Sequence, residues 1–327
     1  MPANITVNNG VAEMMTADGR DAWHGLGARL SQVATAQEAI EAASMDWEVE
    51  MRQVFIQTPS STPEARQFME VPDRKAVTRM DNGKVFGVFS NQYTPLQNRD
   101  AFTFFDSVVG AGEAIYHTAG TLGGGSRIWI LAKLPGDLKL SDSDVLEMYI
   151  LLSNSHDGSL AVTMKPTTVR VVCGNTMMLA LGEGTNKLFK AVHTTNVMQR
   201  VNQARETLGL QEAYFAMMMR GIERLADESM NQVAAEEFLV ELFGQEENPE
   251  AISTRMRNQM DTVGDLFING IGNHGLNNWD MLNAVTEFVD HKRSKDADKR
   301  LDAAWFGGGA DLKQKAWNLL IPAGTLS

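Results

Sequence analysis

The hydrophobic period changes once along the chain, and that change constrains the fold more than any other feature. Up to about residue 175 the apolar residues fall in short alternating runs, "EVEMRQVFIQ", "SRIWILAKL", "VLEMYILLS", "LAVTM" and "TTVRVVC". A period of two marks strands with two unlike faces. In "RIWILAKL" one face holds Ile128, Ile130, Ala132 and Leu134, and the other Arg127, Trp129, Leu131 and Lys133. Such a strand fits an antiparallel sheet with a buried side. After Cys173 the spacing becomes helical. Val197, Val201, Ala204, Leu208, Gln211, Phe215, Met218, Ile222 and Leu225 recur in alternating steps of four and three. That is a heptad seam on a long helix from Thr194 to about Ser229, weakened by Gly209 and Gly221. The seam docks either on another helix of this chain or on a copy of itself. The fold class that follows is α+β, mainly antiparallel sheet in the N-terminal half and helical in the C-terminal half.

Local signals refine this outline. Thr35 with Glu38 is a capping-box pattern ahead of a short helix. Asn82-Gly83 suits a tight hairpin turn with positive φ at both residues. Asn98 is expected to cap the helix "NRDAFTFFDSVVG", which Gly110 ends. "GNTMMLALG" reads as a short helix, and Pro249 starts the helix "PEAISTRMRNQMDTVGDLF". "VAAEEFLVELFG", "NNWDMLNAVTEFVDH" and "DLKQKAWNLL" supply the remaining helices. Residues 1–20 are polar with few apolar anchors and are expected as a flexible arm. Residues 21–182 then form the β-rich α+β domain, and 183–327 a helical region able to pack on the same core.

Several function classes lose support at this stage. The single cysteine, Cys173, removes internal disulfides and cysteine-based zinc sites and points to a reducing, cytoplasmic setting. No apolar run reaches the roughly 18 residues of a membrane span. The six histidines fall in no metal-ligand spacing, so no metal or cofactor is expected. His156, in "SNSHDGS", reads as part of a turn. The net charge of −12 argues against a surface coated for nucleic acid. The charge is uneven, however. Residues 184–205 hold Lys187, Lys190, Arg200 and Arg205 without an acid, and 211–250 hold ten acids against Arg220 and Arg224.

The glycine-rich "AGTLGGGSRIW" is the obvious candidate for a phosphate loop. Gly120 and Gly125 have P-loop spacing, but Ser126-Arg127 replaces the Lys-Ser/Thr pair and a strand follows instead of a helix. The remaining options are a flexible connection, or a loop of Gly123, Gly124 and Gly125 whose N–H groups meet a nucleic-acid backbone. Arg127, Trp129 and Lys133 on one strand face, with Lys165 and Arg170 nearby, could bind single-stranded DNA, Trp129 stacking a base. The alternative is that this face lies under the helices, with its charges at the rim.

"AWHGLG", "NQYTPLQNRDAFTFFD", "GGGSRIWILAKLP", "LLSNSHDGSLAV", "TTVRVVCGNTMMLAL" and "NNWDMLNAVTEFVDH" occur in that order between about residues 21 and 292. Together they resemble the phage/plasmid-like protein family of unknown function. The resemblance implies a mobile-element context in a bacterial host and brings no assigned catalytic residues.

The expectation is therefore a non-enzymatic accessory of phage or plasmid DNA metabolism. It would bind single-stranded DNA or assist recombination, perform no membrane role, and be able to form a homo-oligomer. Arg127, Trp129, Lys133, Lys165 and Arg170 would line the contact, with Lys187, Lys190, Arg200 and Arg205 as a second strip. The alternative is a protein-interaction module that engages or inhibits a host or phage factor. An enzyme site around Gly123, His156 and Cys173 ranks third.

Overall fold

The computed structural model describes residues 5–17, 27–31, 34–59, 66–109, 115–170, 175–177, 189–197, 199, 210–244, 252–293 and 303–322. Its centre is a sheet of eight described strands. β3 (Met14–Thr16), β4 (Ala28–Arg29), β8 (Ile115–Leu122), β9 (Arg127–Lys139), β10 (Val145–Ser155), β11 (Val162–Arg170), β12 (Asn175–Met177) and β13 (Phe189–Ala191) take the order β12-β11-β10-β9-β8-β3-β4, and β13 also pairs with β11. Every pairing is antiparallel except β3 with β4. A second sheet holds β5 (Val49–Gln57), β6 (Phe68–Arg79) and β7 (Val85–Ser90) in that order, and β1 (Val7–Asn8) pairs with β2 (Val11–Ala12).

Both faces of the central sheet are covered. On one, Tyr116 meets Phe102 and Phe105 of α2 (Asn98–Val109), with α1 (Ala36–Ala42) beside it. The other packs against the C-terminal half, where Trp129 meets Trp305 edge-on with centroids 5.3 Å apart. That half comprises α3 (Leu210–Asp227), α4 (Gln232–Phe243), α5 (Thr254–Asn269), α6 (Asn278–Glu287) and α7 (Gly308–Leu320). α6 is buried from Trp279 to Glu287, and a π-helical turn, Phe288–Lys292, prolongs it. One hydrophobic core runs through both halves. The seam positions Val197, Phe215, Met218, Ile222 and Leu225 are buried within the single chain, which settles the described part of the seam as intramolecular.

Local expectations hold where the cause is local. Thr35 and Glu38 form the reciprocal capping box. Asn231, Ser253 and Asn277 cap α4, α5 and α6. Where expectations fail, distant partners decide. Residues 5–17 are not a loose arm: β3 pairs with β8, and Met15 is fully buried. Asn98 lies inside α2, and its side chain turns away to donate to the Met45 carbonyl and accept from His156. The runs "LAVTM" and "TTVR" form one strand, β11. Its Pro166 falls between the stretches that pair with β13 and β12, where β11 has no outer partner among the described strands. Residues 175–177, expected as helix, are strand β12 because the open edge of Thr168–Arg170 recruits them. The hairpin loop between β6 and β7 is longer than two residues, and Gly83 alone takes a positive φ, 72°. α5 starts at Thr254, beyond Pro249. Gly110, Cys173, Pro249 and Gly209 lie outside the described residues.

Candidate functional site

The glycine loop joins β8 to β9, and Gly123, Gly124 and Gly125 all adopt positive φ (63°, 71° and 90°). That conformation costs a glycine little and an ordinary residue much. The Lys84 ammonium donates to the carbonyls of Gly123 (2.7 Å) and Gly124 (3.2 Å). The Gly125 N–H donates to Thr6 Oγ1 at 2.9 Å. A phosphate cradle needs free N–H groups turned inward. Here two carbonyls meet a cation, and the loop fastens the small sheet to the large one.

Beside it lies a buried charge with four hydrogen bonds. Arg79, at the end of β6, makes a two-point bond to the Glu13 carboxylate, with Nη1 3.1 Å from Oε2. Its Nε and Nη2 also donate to Asp81, both at 2.7 Å. The guanidinium stacks 4.0 Å over the Trp47 ring, and Thr121 donates to Glu13 at 2.6 Å. Burial opposes the charge on Arg79, but the bonds to Asp81 and Glu13 prevail and hold it above its usual range. The same pairing holds Asp81 below the usual carboxylate range. A β-carbon on Gly125 would fall 2.8 Å from Arg79 Nη1, so this junction requires glycine at that position. Four hydrogen bonds tie the buried guanidinium to two carboxylates from different segments, which suits a structural weld.

The predicted contact residues scatter. Trp129 is 1% exposed and packed on Trp305, so it presents no face for stacking a base. Lys133 donates to Glu147 at 2.7 Å, and Tyr149 donates to the other carboxylate oxygen at 2.6 Å. Arg127 donates to Ser159 at 3.0 Å at the strand's far end. Lys165 and Lys190 are both exposed, and Lys190 stands across from Thr163, two residues from Lys165. Partial desolvation and the neighbouring Lys190 push the Lys165 ammonium below its usual range, against the pull of Asp311. Arg170 ends β11. Lys187, Arg200 and Arg205 lie outside the described residues.

His156 is fully buried between Trp47 (centroids 5.3 Å) and Phe86 (5.6 Å). The Asn98 amide nitrogen is committed to the Met45 carbonyl, so its oxygen must accept, and His156 Nε2 carries the proton. Burial, then His193, pushes the imidazole down to about 3, which keeps it neutral. The turn expected around it is present: the Ser159 N–H bonds to Asp157 Oδ1 at 2.9 Å, and Gly158 takes φ 72°. Among the described residues no group of three His, Cys, Asp or Glu is placed to hold a metal ion, and no helix is long and apolar enough to cross a membrane.

The exposed chemistry lies elsewhere, on the ribbon formed by β5 and the outer part of β6. Residues 55–57 and 67–70 are exposed without exception. Ile56 pairs with Met69, Phe55 with Glu70 and Gln57 with Phe68. Ile56 and Met69 therefore share one face, and Phe55 and Phe68 lie diagonally on the other. All four are more than half exposed, Phe68 at 73%. The alternating pattern of β5 hides this tip, but the sequence does carry a signal. "FI" and "FM" set apolar residues side by side, which in a strand points one to each face. A ribbon with both faces apolar has no sheltered side.

The profile of a family described as a domain of unknown function (DUF932) matches residues 85–305. No curated protein and no solved structure matches the chain. The matched stretch takes in the central sheet from β8 onward, the glycine loop and helices α2 to α6, whereas β5 and all of β6 precede it. Because it covers about two thirds of the sequence, this chain belongs to the DUF932 family of unknown function.

Proposed function

We propose that this chain is a protein-interaction module that docks through the tip of the β5–β6 ribbon. One observation carries the reading: Phe55, Ile56, Phe68 and Met69 stand exposed on both faces of two paired strands. Monomers rarely leave a contiguous apolar patch of this kind uncovered. The edges of the ribbon agree. β6 carries Pro72 and a bulge at Val71–Asp73, where Asp73 takes φ 57°, and both devices blunt an edge. β5, "VEMRQVFIQ", has no Pro, Gly or Lys and no outer partner among the described strands. It can accept a further strand. In the mobile-element context that the sequence blocks imply, a host or phage protein is the natural partner. The test is a photo-crosslinking residue at position 68 in expressing cells. A discrete adduct that disappears in Phe55→Glu is the expected result. An absence of adducts, with the protein folded, sinks the reading.

A second reading rests on Lys165 and Lys190. Two exposed cations two residues apart across a strand pair, beside an acid-free stretch from 184 to 205, would suit a nucleic-acid backbone. Single-stranded DNA would then bind by local contacts, without the stacking once expected of Trp129. Fluorescence anisotropy over a salt series tests it. The affinity should fall steeply with salt and drop further in Lys165→Glu/Lys190→Glu. No binding at low salt eliminates it.

A further inference from the structure

Independently of the ribbon, we infer a second docking surface, where α4 starts and α5 stops, whose partner is a basic amphipathic helix. Val233, Ile268, Ile271 and Leu276 stand there, each more than half exposed. They come from three segments that packing draws together. The Met230 N–H donates to the Leu276 carbonyl at 3.0 Å, which sets the start of α4 beside the 270–277 loop. A β-carbon on Gly275 would lie 3.3 Å from Ile268, which places the end of α5 against the same loop. Further along, Leu239 lies 3.8 Å from a β-carbon built on Gly264, so the two helices pack antiparallel and Val233 stands level with the end of α5. The four side chains together offer on the order of 400 Å² of apolar surface, within the roughly 300–600 Å² of the patches that monomers keep for function.

The charge around this patch has one sign. Glu236 and Glu237 follow Val233 by one helical turn, and Asp261 and Asp265 precede Ile268 by two turns and by one, so these acids share the faces that carry the patch. All four are exposed. No Lys or Arg occurs from residue 225 to 243 or from 258 to 291. The cations of the neighbouring segments are engaged or remote. Arg224 pairs with Glu228 at 2.8 Å. Lys315 donates to the Glu241 and Leu242 carbonyls at the other end of α4. Arg255 and Arg257 lie in the first turn of α5, at least about 16 Å along its axis from Ile268. A partner that covers the patch must therefore carry cations beside an apolar stripe. It must also be helical. The patch is built from helix ends and a loop, not from a strand edge. An extended segment would find no backbone partners there, whereas a helix satisfies its own N–H and C=O groups.

The test is fluorescence anisotropy at low salt with the full chain and three labelled peptides, each about four helical turns long. The first is a Leu/Lys peptide with helical period. The second has Glu for Lys, and the third has the composition of the first with Leu and Lys alternating. The first peptide alone should bind. Ile268→Ser/Leu276→Ser should weaken it at least tenfold. Glu236→Gln/Glu237→Gln/Asp265→Asn should weaken it as well and flatten its salt dependence, because the exposed charges that salt screens are gone. Val233→Ser/Ile271→Ser repeats the apolar arm in case the first variant fails to fold. No binding at low salt overturns the inference. So does equal binding of the Glu or the alternating peptide, or binding that survives both sets of substitutions. A loss caused by Phe68→Glu would place the peptide on the ribbon and also overturn it. So would light scattering that shows the chain alone self-associating until Ile268→Ser/Leu276→Ser abolishes it, since the occupant would then be a second copy.

Discussion

Acid should unfold this protein largely through His156. Its ring is fully buried between Trp47 and Phe86, with Nε2–H bonded to Asn98 at 2.9 Å. In the folded state the imidazole refuses a proton until about pH 3, whereas in the unfolded chain it takes one near its ordinary 6.5. Between those values the unfolded state binds more protons, so stability rises with pH. The contribution is fully present above about pH 6.5 and drains away as the pH falls toward 3. The whole window is worth about 5 kcal/mol. Lowering the pH from about 7.5 to about 5 removes about 2 kcal/mol of it. The assay is urea unfolding followed by tryptophan fluorescence, on the wild type and on His156→Gln, at pH 5, 6, 7 and 7.5. Glutamine can still donate to the Asn98 oxygen but does not titrate. The wild type's stability advantage over the variant should therefore shrink by about 2 kcal/mol across that range. His193, which burial also holds below its usual range, acts in both proteins and largely cancels. An advantage that does not change with pH would refute the reasoning, because it would mean that the folded ring titrates normally.

Three further expectations concern packing and charge. Gly221→Ala should destabilise by about 1–3 kcal/mol in thermal or urea unfolding. Helix propensity alone favours alanine by about 1 kcal/mol, but the new methyl would lie 2.5 Å from the Trp317 ring. Arg79→Met should cost about 3–5 kcal/mol, because it leaves the Glu13 carboxylate 1% exposed without its cation. The double variant Glu13→Leu/Arg79→Met should recover much of that loss in the same measurement. Asp290→Asn and Lys313→Met should each cost about 3–5 kcal/mol in the same measurement, because both side chains of the pair are buried and either change strands the other's charge. Losses near zero in both variants would contradict this account.

The sequence by itself determined whatever depends on near neighbours. The capping box at Thr35 and Glu38, the strand at Val49–Gln57 and the two unlike faces of Arg127–Leu134 are set by bonds and periods spanning a few residues. The same holds for the existence of a change from strands to helices, though it falls after β13 (Phe189–Ala191) and not near residue 175. The heptad spacing likewise announced an apolar stripe. Periodicity states that a face exists, however, and not what covers it. Trp129 alternates as an outward residue does, yet Trp305, 176 positions later, closes over it. Asn98 has the chemistry of a cap and spends it on Met45 and His156. The triple glycine resembles a phosphate loop until Lys84, in the hairpin loop between β6 and β7, takes its carbonyls. Conversely, Phe55 and Phe68 look like core and stand in solvent, because nothing among the described residues reaches the end of the ribbon. Burial, pairing and protonation depend on groups tens to hundreds of residues apart in the chain. Those distances are fixed only when the layers have packed, and so the tertiary structure alone decided them.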